Sequence, residues 1–203
     1  MSETSVTPSP AQAPVGTQLQ LRPESPRQRK RPRLAEFSYK GPYAYHVTIV
    51  THARVPVFAN PQEADSIVRH LIQTAEQQFS LHAYCLMPDH LHILLQGTAE
   101  NSNLLQFVQR LKQLTGFGFK QRTGQTLWQQ SFYDHALRKD EDLAQVAPYI
   151  FANPVEADLV TDGGLYPWSG GDYYPREPAA DGAKAASLRA SISSSEAYHD
   201  QPP

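Results

Sequence analysis

Residues 81–96, LHAYCLMPDHLHILLQ, decide how the folded part of this chain is organised. Apolar and aromatic side chains dominate residues 81–87 and 90–96, and both stretches are typical of β-strands. Because the connection at Met87-Pro88-Asp89 is so short, the two strands are expected to pair as an antiparallel hairpin.

The segments on either side of this hairpin predict two more strands and three helices. Asn60, Pro61 and Glu63 predict a helix start, with an N-cap, a proline at the first helical position and a capping box. Apolar residues then recur at helical spacing as far as Phe79. The other predicted elements are a strand at residues 43–51, a helix beginning near residues 101–103, a strand at residues 131–137 and a last helix capped near Asp140 and running towards Asn153-Pro154.

The order strand–helix–strand–strand–helix–strand predicts an α+β fold of the ferredoxin-like split βαβ type. Such a fold has an antiparallel sheet with helices on one face and leaves the other face free. The last helix is an addition to that plan and is available to pack near the free face. Because many unrelated functions use this architecture, the fold predicts no activity by itself.

The two ends of the 203-residue chain differ in composition from its middle. Residues 1–35 are rich in Pro, Ser, Gln and Arg, and residues 169–203 in Gly, Ala, Ser and Pro, so neither has the apolar content to offset the entropy of ordering it. We expect a disordered arm, one folded domain at residues 36–168 and a disordered tail. The arm carries six basic residues between Arg22 and Leu34, opposed only by Glu24, which favours either nucleic-acid attachment or a solvated linker.

Cysteine usage and hydropathy indicate the cellular compartment of the protein. Cys85 is the single cysteine, so no internal disulfide can form and a reducing environment is expected. The first residues lack an apolar leader and no stretch is long enough to span a bilayer, which predicts a cytoplasmic protein.

The second strand of the hairpin carries a pair of histidines on one face. Alternate residues of a strand point to the same side, so Leu91, Ile93 and Leu95 are expected to face the helices. His90 and His92 then point together to the free face, where two imidazoles can converge on one metal ion. A His-x-His pair alone is more often an ordinary surface feature, and its place after a tight turn strengthens the metal interpretation.

The last predicted helix presents a second pair of polar side chains. Tyr149 and Asn153 are four residues apart and project from the same side, while Val146 and Ile150 lie on another side and would anchor the helix. Taken alone, this pair fits a half-buried tyrosine and a helix-ending asparagine. Pro148 lies inside the helix, where it either kinks the axis or starts a new helical segment.

Together the two pairs predict one reaction. Two neutral imidazoles and an amide oxygen form an open site suited to Mg²⁺ or Mn²⁺. An ion there can polarise a phosphodiester oxygen while a tyrosinate attacks phosphorus. The products are a covalent phosphotyrosine and a free 3′-hydroxyl, so strand transfer proceeds in two reversible steps.

Several ordered motifs, taken together, resemble those of the HUH-type single-tyrosine transposases, most closely the REP-associated branch. The matching residues run from about Phe37 to Ser169 and are Tyr45-His-Val-Thr48, Met87-Pro-Asp-His-Leu-His92, Trp128-Gln-Gln-Ser-Phe-Tyr-Asp134, Leu137-Arg138, Tyr149-Ile150, Asn153-Pro-Val155 and Pro167-Trp-Ser169.

The resemblance implies a role for each matching residue. It makes His90 and His92 metal ligands, Tyr149 the nucleophile that forms a 5′-phosphotyrosine, and Asn153 the third ligand. Insertion-sequence members usually carry glutamine where this chain has Asn153. Asparagine followed by Pro-Val points to the REP-associated branch, whose members resemble monomers acting on hairpin-bearing or palindromic single-stranded DNA.

Two further features concern DNA contact and the competing functions. A local basic strip is predicted for Arg110, Lys112, Lys120, Arg122, Arg138 and Lys139, with Phe117, Phe119, Trp128, Phe132 and Tyr133 available for base stacking. One alternative function is a catalytically inactive single-stranded DNA hairpin-binding protein. Another is an unrelated metal hydrolase in which His90 and His92 activate water and Tyr149 has no role.

Overall fold

The computed structural model describes residues 37–137 and 142–174. None of the helices in these two ranges is long and apolar enough to cross a membrane. Three 3₁₀ turns, at His52–Arg54, Val57–Ala59 and Gly163–Leu165, join larger elements. These are β1 (Ala44–Val50), α1 (Pro61–Ala75), β2 (Phe79–Met87), β3 (His90–Gly97), α2 (Leu104–Thr123), β4 (Tyr133–Ala136), α3 (Leu143–Glu156) and β5 (Ser169–Gly170).

The five strands form one antiparallel sheet in the order β4-β1-β3-β2-β5. The first four strands have the neighbours expected of a split βαβ, because β3 lies between β1 and β2. The predicted α+β fold is therefore confirmed, and so is the hairpin of β2 and β3, which pair from Met87 opposite His90 onwards. Strand β5 extends the sheet beyond β2.

The register of the central strands separates the sheet into two faces. Ile93 lies opposite Val47 and Tyr84, whereas His92 lies opposite Thr48 and Cys85. Directly opposed residues point to the same face, so Phe79, opposite Gly97, lies on the Ile93 face. Its ring packs against Phe107 of α2 at 5.1 Å, so α2 and the neighbouring α1 cover that face. Helix α3 packs against β2 and β3 from the other side. It covers the His92 face, whose Cys85, Ala83 and Leu94 are fully buried.

Side-chain caps begin helices α1 and α3. Asn60 accepts from the backbone N–H groups of Gln62 and Glu63 at 2.9 and 3.4 Å, as the capping pattern predicts. Helix α3 begins after Asp142, which accepts from the Ala144 N–H at 2.9 Å. The prediction of a start near Asp140 was two residues early, and Asp140 itself lies outside the described residues.

Neither proline interrupts α3, which continues to Glu156 as one helix. Pro148 therefore does not start a new helical segment, which was one of the two alternatives. Pro154 is buried and α3 ends two residues after it. The helix tolerates both prolines because each removes a single backbone donor, and packing of the buried residues Ala147, Ile150 and Pro154 holds it in place.

The prediction that a disordered tail begins at residue 169 was wrong by at least six residues. Ser169 and Gly170 pair with Cys85 and Tyr84 to form β5. The N–H groups of Asp172 and Tyr173 then donate to the backbone of β2. Backbone pairing of this kind does not depend on apolar side chains, so composition could not reveal it. The predicted arm and the rest of the tail lie outside the described residues.

Gly97 at the end of β3 provides a stability test of this packing. A Cβ atom at Gly97 would lie 2.2 Å from the backbone oxygen of Gly41 and 2.9 Å from the Ser102 Cβ. We expect Gly97→Ala to destabilise the domain by about 1–3 kcal/mol in chemical denaturation, because backbone must move to admit it.

Gly116→Ala is the matched control for Gly97→Ala. Its new Cβ would meet only the Trp128 ring, at 3.7 Å, inside a helix. Alanine there should be neutral or stabilising by up to about 1 kcal/mol. Equal stability of the Gly97 and Gly116 variants would contradict the close approach at Gly97.

Candidate metal and tyrosine site

His90 and His92 meet on the sheet face that α3 covers. Strand β3 projects both side chains to this face, and their Nε2 atoms lie 3.0 Å apart. Two neighbouring ligands of an octahedral ion with bonds of about 2.1 Å are separated by about this distance. The pair predicted from sequence is therefore brought together in a geometry that fits a metal ion.

The other ring nitrogen of His90 is bound to a carboxylate. The Nδ1 atom of His90 lies 2.5 Å from Oδ1 of Asp89, and Oδ2 of Asp89 lies 3.0 Å from Nη1 of Arg54. Burial alone would raise the pKa of Asp89, but hydrogen bonds and electrostatic interactions with His90 and Arg54 outweigh it and hold that pKa below its ordinary value. The ionised carboxylate accepts from Nδ1–H, which leaves the lone pair of His90 on Nε2.

His92 is oriented by uncharged partners instead. Its Nδ1 atom lies 3.1 Å from Oγ1 of Thr48 and 3.3 Å from Nε2 of His46. Burial and the nearby rings of His90 and His46 lower the pKa of His92 to about 3. His92 is therefore a neutral imidazole at neutral pH, which is the form that binds a metal.

Tyr149 is displayed on the outer side of α3. Its side chain is 75% exposed, while the neighbouring Ala147 and Ile150 are buried. Val146 is half-buried against the core, so both predicted anchors, Val146 and Ile150, hold the helix. Because α3 is anchored to the histidine face by its other side, the Tyr149 hydroxyl is accessible to a large substrate.

Asn153 uses its amide nitrogen within its own helix. Nδ2 donates to the carbonyl oxygens of Tyr149 and Ile150 at 2.7 and 3.1 Å. Residue 154 is a proline, so the Ile150 carbonyl has no N–H group four residues later to accept from. Asn153 supplies the missing donor, which leaves Oδ1 as its only atom able to bind a metal ion.

No group of three or more His, Cys, Asp and Glu side chains in residues 37–137 and 142–174 is arranged to hold a metal ion. An ion at His90 and His92 would therefore need other ligands, such as an amide oxygen, water or substrate oxygens. This donor set suits a hard ion that retains several waters, and it does not suit a closed tetrahedral zinc site.

The predicted basic strip is not brought together on one face of α2. Residues two apart on a helix differ by about 200° in direction, which separates Arg110 from Lys112 and Lys120 from Arg122. Nζ of Lys112 lies 2.5 and 3.0 Å from the carbonyl oxygens of Gln129 and Gln130. The Arg122 guanidinium pairs with Glu63 at 2.7 Å. Arg110 and Lys120 are exposed, and Arg138 and Lys139 lie outside the described residues.

Sequence reasoning did not assign roles to Asp89, Arg54 and Thr48 at this site. Asp89 could have been found, because it directly precedes His90 in the chain. Thr48 shares a strand face with His46, which alternation on β1 reveals. Arg54 gave no local signal, since it reaches Asp89 across 35 residues of sequence.

Comparison with known proteins gives one family match and several relatives. The profile of the family described as "Transposase IS200 like" matches residues 40–153, a range that contains both histidines, Tyr149 and Asn153. The chain is 32% identical over 109 residues to a Haemophilus influenzae protein named among the REP-associated tyrosine transposases. It is 28% identical over 109 residues to the REP-associated tyrosine transposase of Escherichia coli.

The coverage of these matches is partial. They span 48% and 51% of this chain and 62% of each relative, less than two thirds of their length. A solved structure described as a REP-associated tyrosine transposase bound to a REP hairpin has a similar fold. It aligns with a TM-score of 0.55 and 19% identity over 73% of this chain and 93% of its own.

The pKa of His92 predicts how the metal-free domain responds to acid. In the unfolded chain this imidazole binds a proton as the pH falls below its ordinary pKa of 6.5, whereas in the folded domain it stays neutral until about pH 3. The stability that it contributes is therefore complete above pH 6.5 and is lost between pH 6.5 and 3. Between pH 7 and 5 the loss should reach at most about 2 kcal/mol.

Chemical denaturation in EDTA at pH 7 and pH 5 measures this loss. His92→Gln should lose less stability between the two pH values than the wild type does. His52→Gln removes an exposed histidine and is the matched control. An identical pH dependence in the wild type and His92→Gln would contradict the buried neutral imidazole.

Proposed function

Because the chain belongs to the IS200-like transposase family, we propose that it cleaves single-stranded DNA and transfers the cleaved strand, with the Tyr149 hydroxyl as nucleophile. The observation that carries this proposal is the 3.0 Å approach of the His90 and His92 Nε2 atoms on the sheet face where α3 is anchored. The exposed hydroxyl of Tyr149 on that helix supports it.

The reaction conserves one phosphodiester bond. The oxygen of Tyr149 attacks phosphorus and loses its proton to solvent, while the bond from phosphorus to the 3′ oxygen breaks. The 3′ oxygen leaves as a hydroxyl by taking up a proton, and the 5′-phosphate stays on the tyrosine. Attack by a 3′-hydroxyl on this phosphotyrosine restores the DNA backbone and frees Tyr149, so no high-energy cofactor is needed.

His90, His92 and Oδ1 of Asn153 would hold a Mg²⁺ or Mn²⁺ ion. When bound, the ion supplies a Lewis acid that polarises the scissile phosphate. The chain would direct both Nε2 atoms to one point and keep His92 neutral. Because neutral ligands do not reduce the charge of the ion, the full positive charge would act on the phosphate. The rigid β3 strand holds the two rings in place during the reaction.

We propose a single-stranded hairpin or palindromic DNA as the substrate, bound by a monomer. The similar solved structure is described as bound to a REP hairpin, which supports this class of substrate. The charge distribution supports it as well. Four of the seven Lys and Arg residues in the described ranges lie on α2, which has no acidic residue, whereas the other described residues carry three basic and eleven acidic side chains.

The outward face of α2 is the part of this domain best suited to the DNA backbone. Phe117 is 65% exposed there, whereas Phe119 and Trp128 are buried and Phe132 is partly buried. Arg110 and Lys120 are both within about 60° of Phe117 around the helix axis. An exposed ring between two cations can stack on an unpaired base while the cations contact phosphates.

The two alternative functions are less well supported. An inactive DNA-binding protein would not need an accessible nucleophile, whereas the Tyr149 side chain is 75% exposed on α3. A hydrolase that activates water would not need the exposed Tyr149 of α3. A covalent adduct between Tyr149 and DNA would distinguish the proposed activity from both alternatives.

We expect Tyr149 to become covalently joined to the 5′-phosphate of single-stranded hairpin DNA in the presence of Mn²⁺ or Mg²⁺. Denaturing gels with labelled substrate should show a protein–DNA adduct that Tyr149→Phe abolishes. Tyr43→Phe is the matched control, because this tyrosine is also exposed, at 48%, and lies immediately before β1, away from α3. Cleavage that persists in Tyr149→Phe would favour the hydrolase, and absent cleavage in the wild type would favour the binding protein.

We expect His90→Ala and His92→Ala each to abolish cleavage, since each removes a metal ligand. Circular dichroism should show that both variants remain folded, because the two side chains are only half-buried. Asn153→Ala should retain reduced cleavage, because water can replace one oxygen ligand of a hard ion. Cleavage undiminished by EDTA would contradict the metal role of all three residues.

We expect Arg110→Gln/Lys120→Gln to weaken DNA binding through fewer phosphate contacts. Losing two contacts should flatten the slope of log affinity against log salt by about 1.4, because each contact to a single strand contributes about 0.7. Lys40→Gln/Arg69→Gln removes the same charge from exposed positions off α2 and is the control. Equal slopes in the two double variants would exclude α2 as the DNA-contacting surface.

A further inference from the structure

We propose that Arg54 and Asp89 are positioning residues for His90. Arg54 pins the carboxylate of Asp89, and Asp89 in turn aims the Nε2 lone pair of His90 at the metal position. This inference rests on the proposed role of His90 as a metal ligand. It adds Arg54, which lies 36 positions before His90 in the chain, to the residues that act at the site.

The turn that carries Asp89 is clamped by the segment that follows β1. The backbone N–H of Thr51 donates to the Asp89 carbonyl at 2.9 Å. The Thr51 hydroxyl lies within hydrogen-bond distance of two carbonyl oxygens, that of Val55 at 2.8 Å and that of Asp89 at 3.0 Å. The N–H of Phe58 donates to the Pro88 carbonyl at 2.9 Å. Thr51 and Phe58 are buried, so these bonds are shielded from competing water. The backbone of the turn therefore has a defined place relative to the segment 51–58.

Arg54 reaches Asp89 through an uncommon backbone conformation. Ala53 and Arg54 have φ angles of 53° and 57°, in the left-handed region that non-glycine residues avoid. This conformation is unfavourable because it brings Cβ close to the following carbonyl oxygen. The turn persists because its ends are tied down, with His52 N–H bonded to Leu127 and Val55 N–H bonded back to His52. Backbone strain of this kind concentrates at functional sites.

The two oxygens of the Asp89 carboxylate are bound to different partners. Oδ2 accepts from Arg54 and Oδ1 accepts from Nδ1 of His90. Holding both oxygens restricts rotation of the carboxylate and fixes the imidazole with its proton on Nδ1. The second nitrogen of a metal-binding histidine is commonly oriented by a carboxylate in this way.

A role in stability alone does not account for the Arg54–Asp89 pair. The Arg54 side chain is 63% exposed, and an exposed ion pair contributes little to stability. This small gain does not offset the two left-handed residues of the turn. We therefore expect the Arg54–Asp89 pair to act on the orientation of the His90 ring. His92 has its own neutral partners, Thr48 and His46, so losing Asp89 should disturb one ligand and leave the other.

Mn²⁺ binding by the full chain tests this, with free Mn²⁺ followed by electron paramagnetic resonance. Asp89→Asn should weaken binding about 10- to 100-fold, because an amide can also donate to Nδ1 and so allow the wrong tautomer. Arg54→Gln should weaken it by a smaller factor. Arg69→Gln, which removes an exposed arginine from α1, should bind Mn²⁺ as the wild type does.

The double variant tests whether Arg54 acts through Asp89. If it does, Arg54→Gln should have no further effect on Mn²⁺ affinity when Asp89→Asn is already present. Independent, multiplying effects of the two substitutions would overturn the proposed order of action. Unchanged Mn²⁺ affinity in Asp89→Asn would overturn the proposal as a whole.

Imidazole ¹⁵N NMR of the metal-free protein gives a second readout that does not need the ion. The wild type should show His90 with its proton on Nδ1, and Asp89→Asn should shift that population while the His92 signals stay in place. A wild-type chain that binds no Mn²⁺ would contradict the proposed metal site. A wild type that binds Mn²⁺ with His90 unaltered in Asp89→Asn would contradict the positioning role alone.

Discussion

Strand β3 is hydrogen-bonded along both edges, to β1 on one side and β2 on the other, and the rest of the domain depends on this double pairing. Because the register is set on both sides, alternate residues of β3 have no freedom to exchange faces. Leu91, Ile93 and Leu95 are fully buried on the α1–α2 side. His90 and His92 are consequently held on the α3 side, where backbone pairing rather than side-chain packing fixes their separation.

The two histidines occupy different electrostatic surroundings although they are adjacent on one face. Nδ1 of His90 is hydrogen-bonded to the ionised carboxylate of Asp89. Nδ1 of His92 instead lies near the Thr48 hydroxyl and the His46 imidazole. Burial and neighbouring rings keep His92 neutral, with a pKa of about 3. The His90 and His92 Nε2 atoms lie 3.0 Å apart, so either a proton on one of them or a cation between them would satisfy both nitrogens. This geometry is the one that the proposed metal site requires.

Charge and accessibility are divided between the two sides of the sheet. Helix α3 carries the exposed Tyr149 and contains no basic residue, whereas α2 carries four basic residues and no acidic one. In the proposed function, DNA would be attracted to α2, while Tyr149 would act from α3. Membership of the IS200-like transposase family is consistent with that proposal.

The sequence by itself determined the α+β order, the hairpin, the shared face of His90 and His92 and the placement of Tyr149 on a different side of its helix from Val146 and Ile150, because periodicity and short connections are local properties. It could not determine that β5 closes the sheet edge, since Ser169 and Gly170 are ordered by pairing with β2. It could not show that Lys112 and Arg122 are engaged within the chain. Only the tertiary structure brought Arg54 to Asp89 and His46 to His92, because contacts between distant residues depend on how strands and turns meet in space.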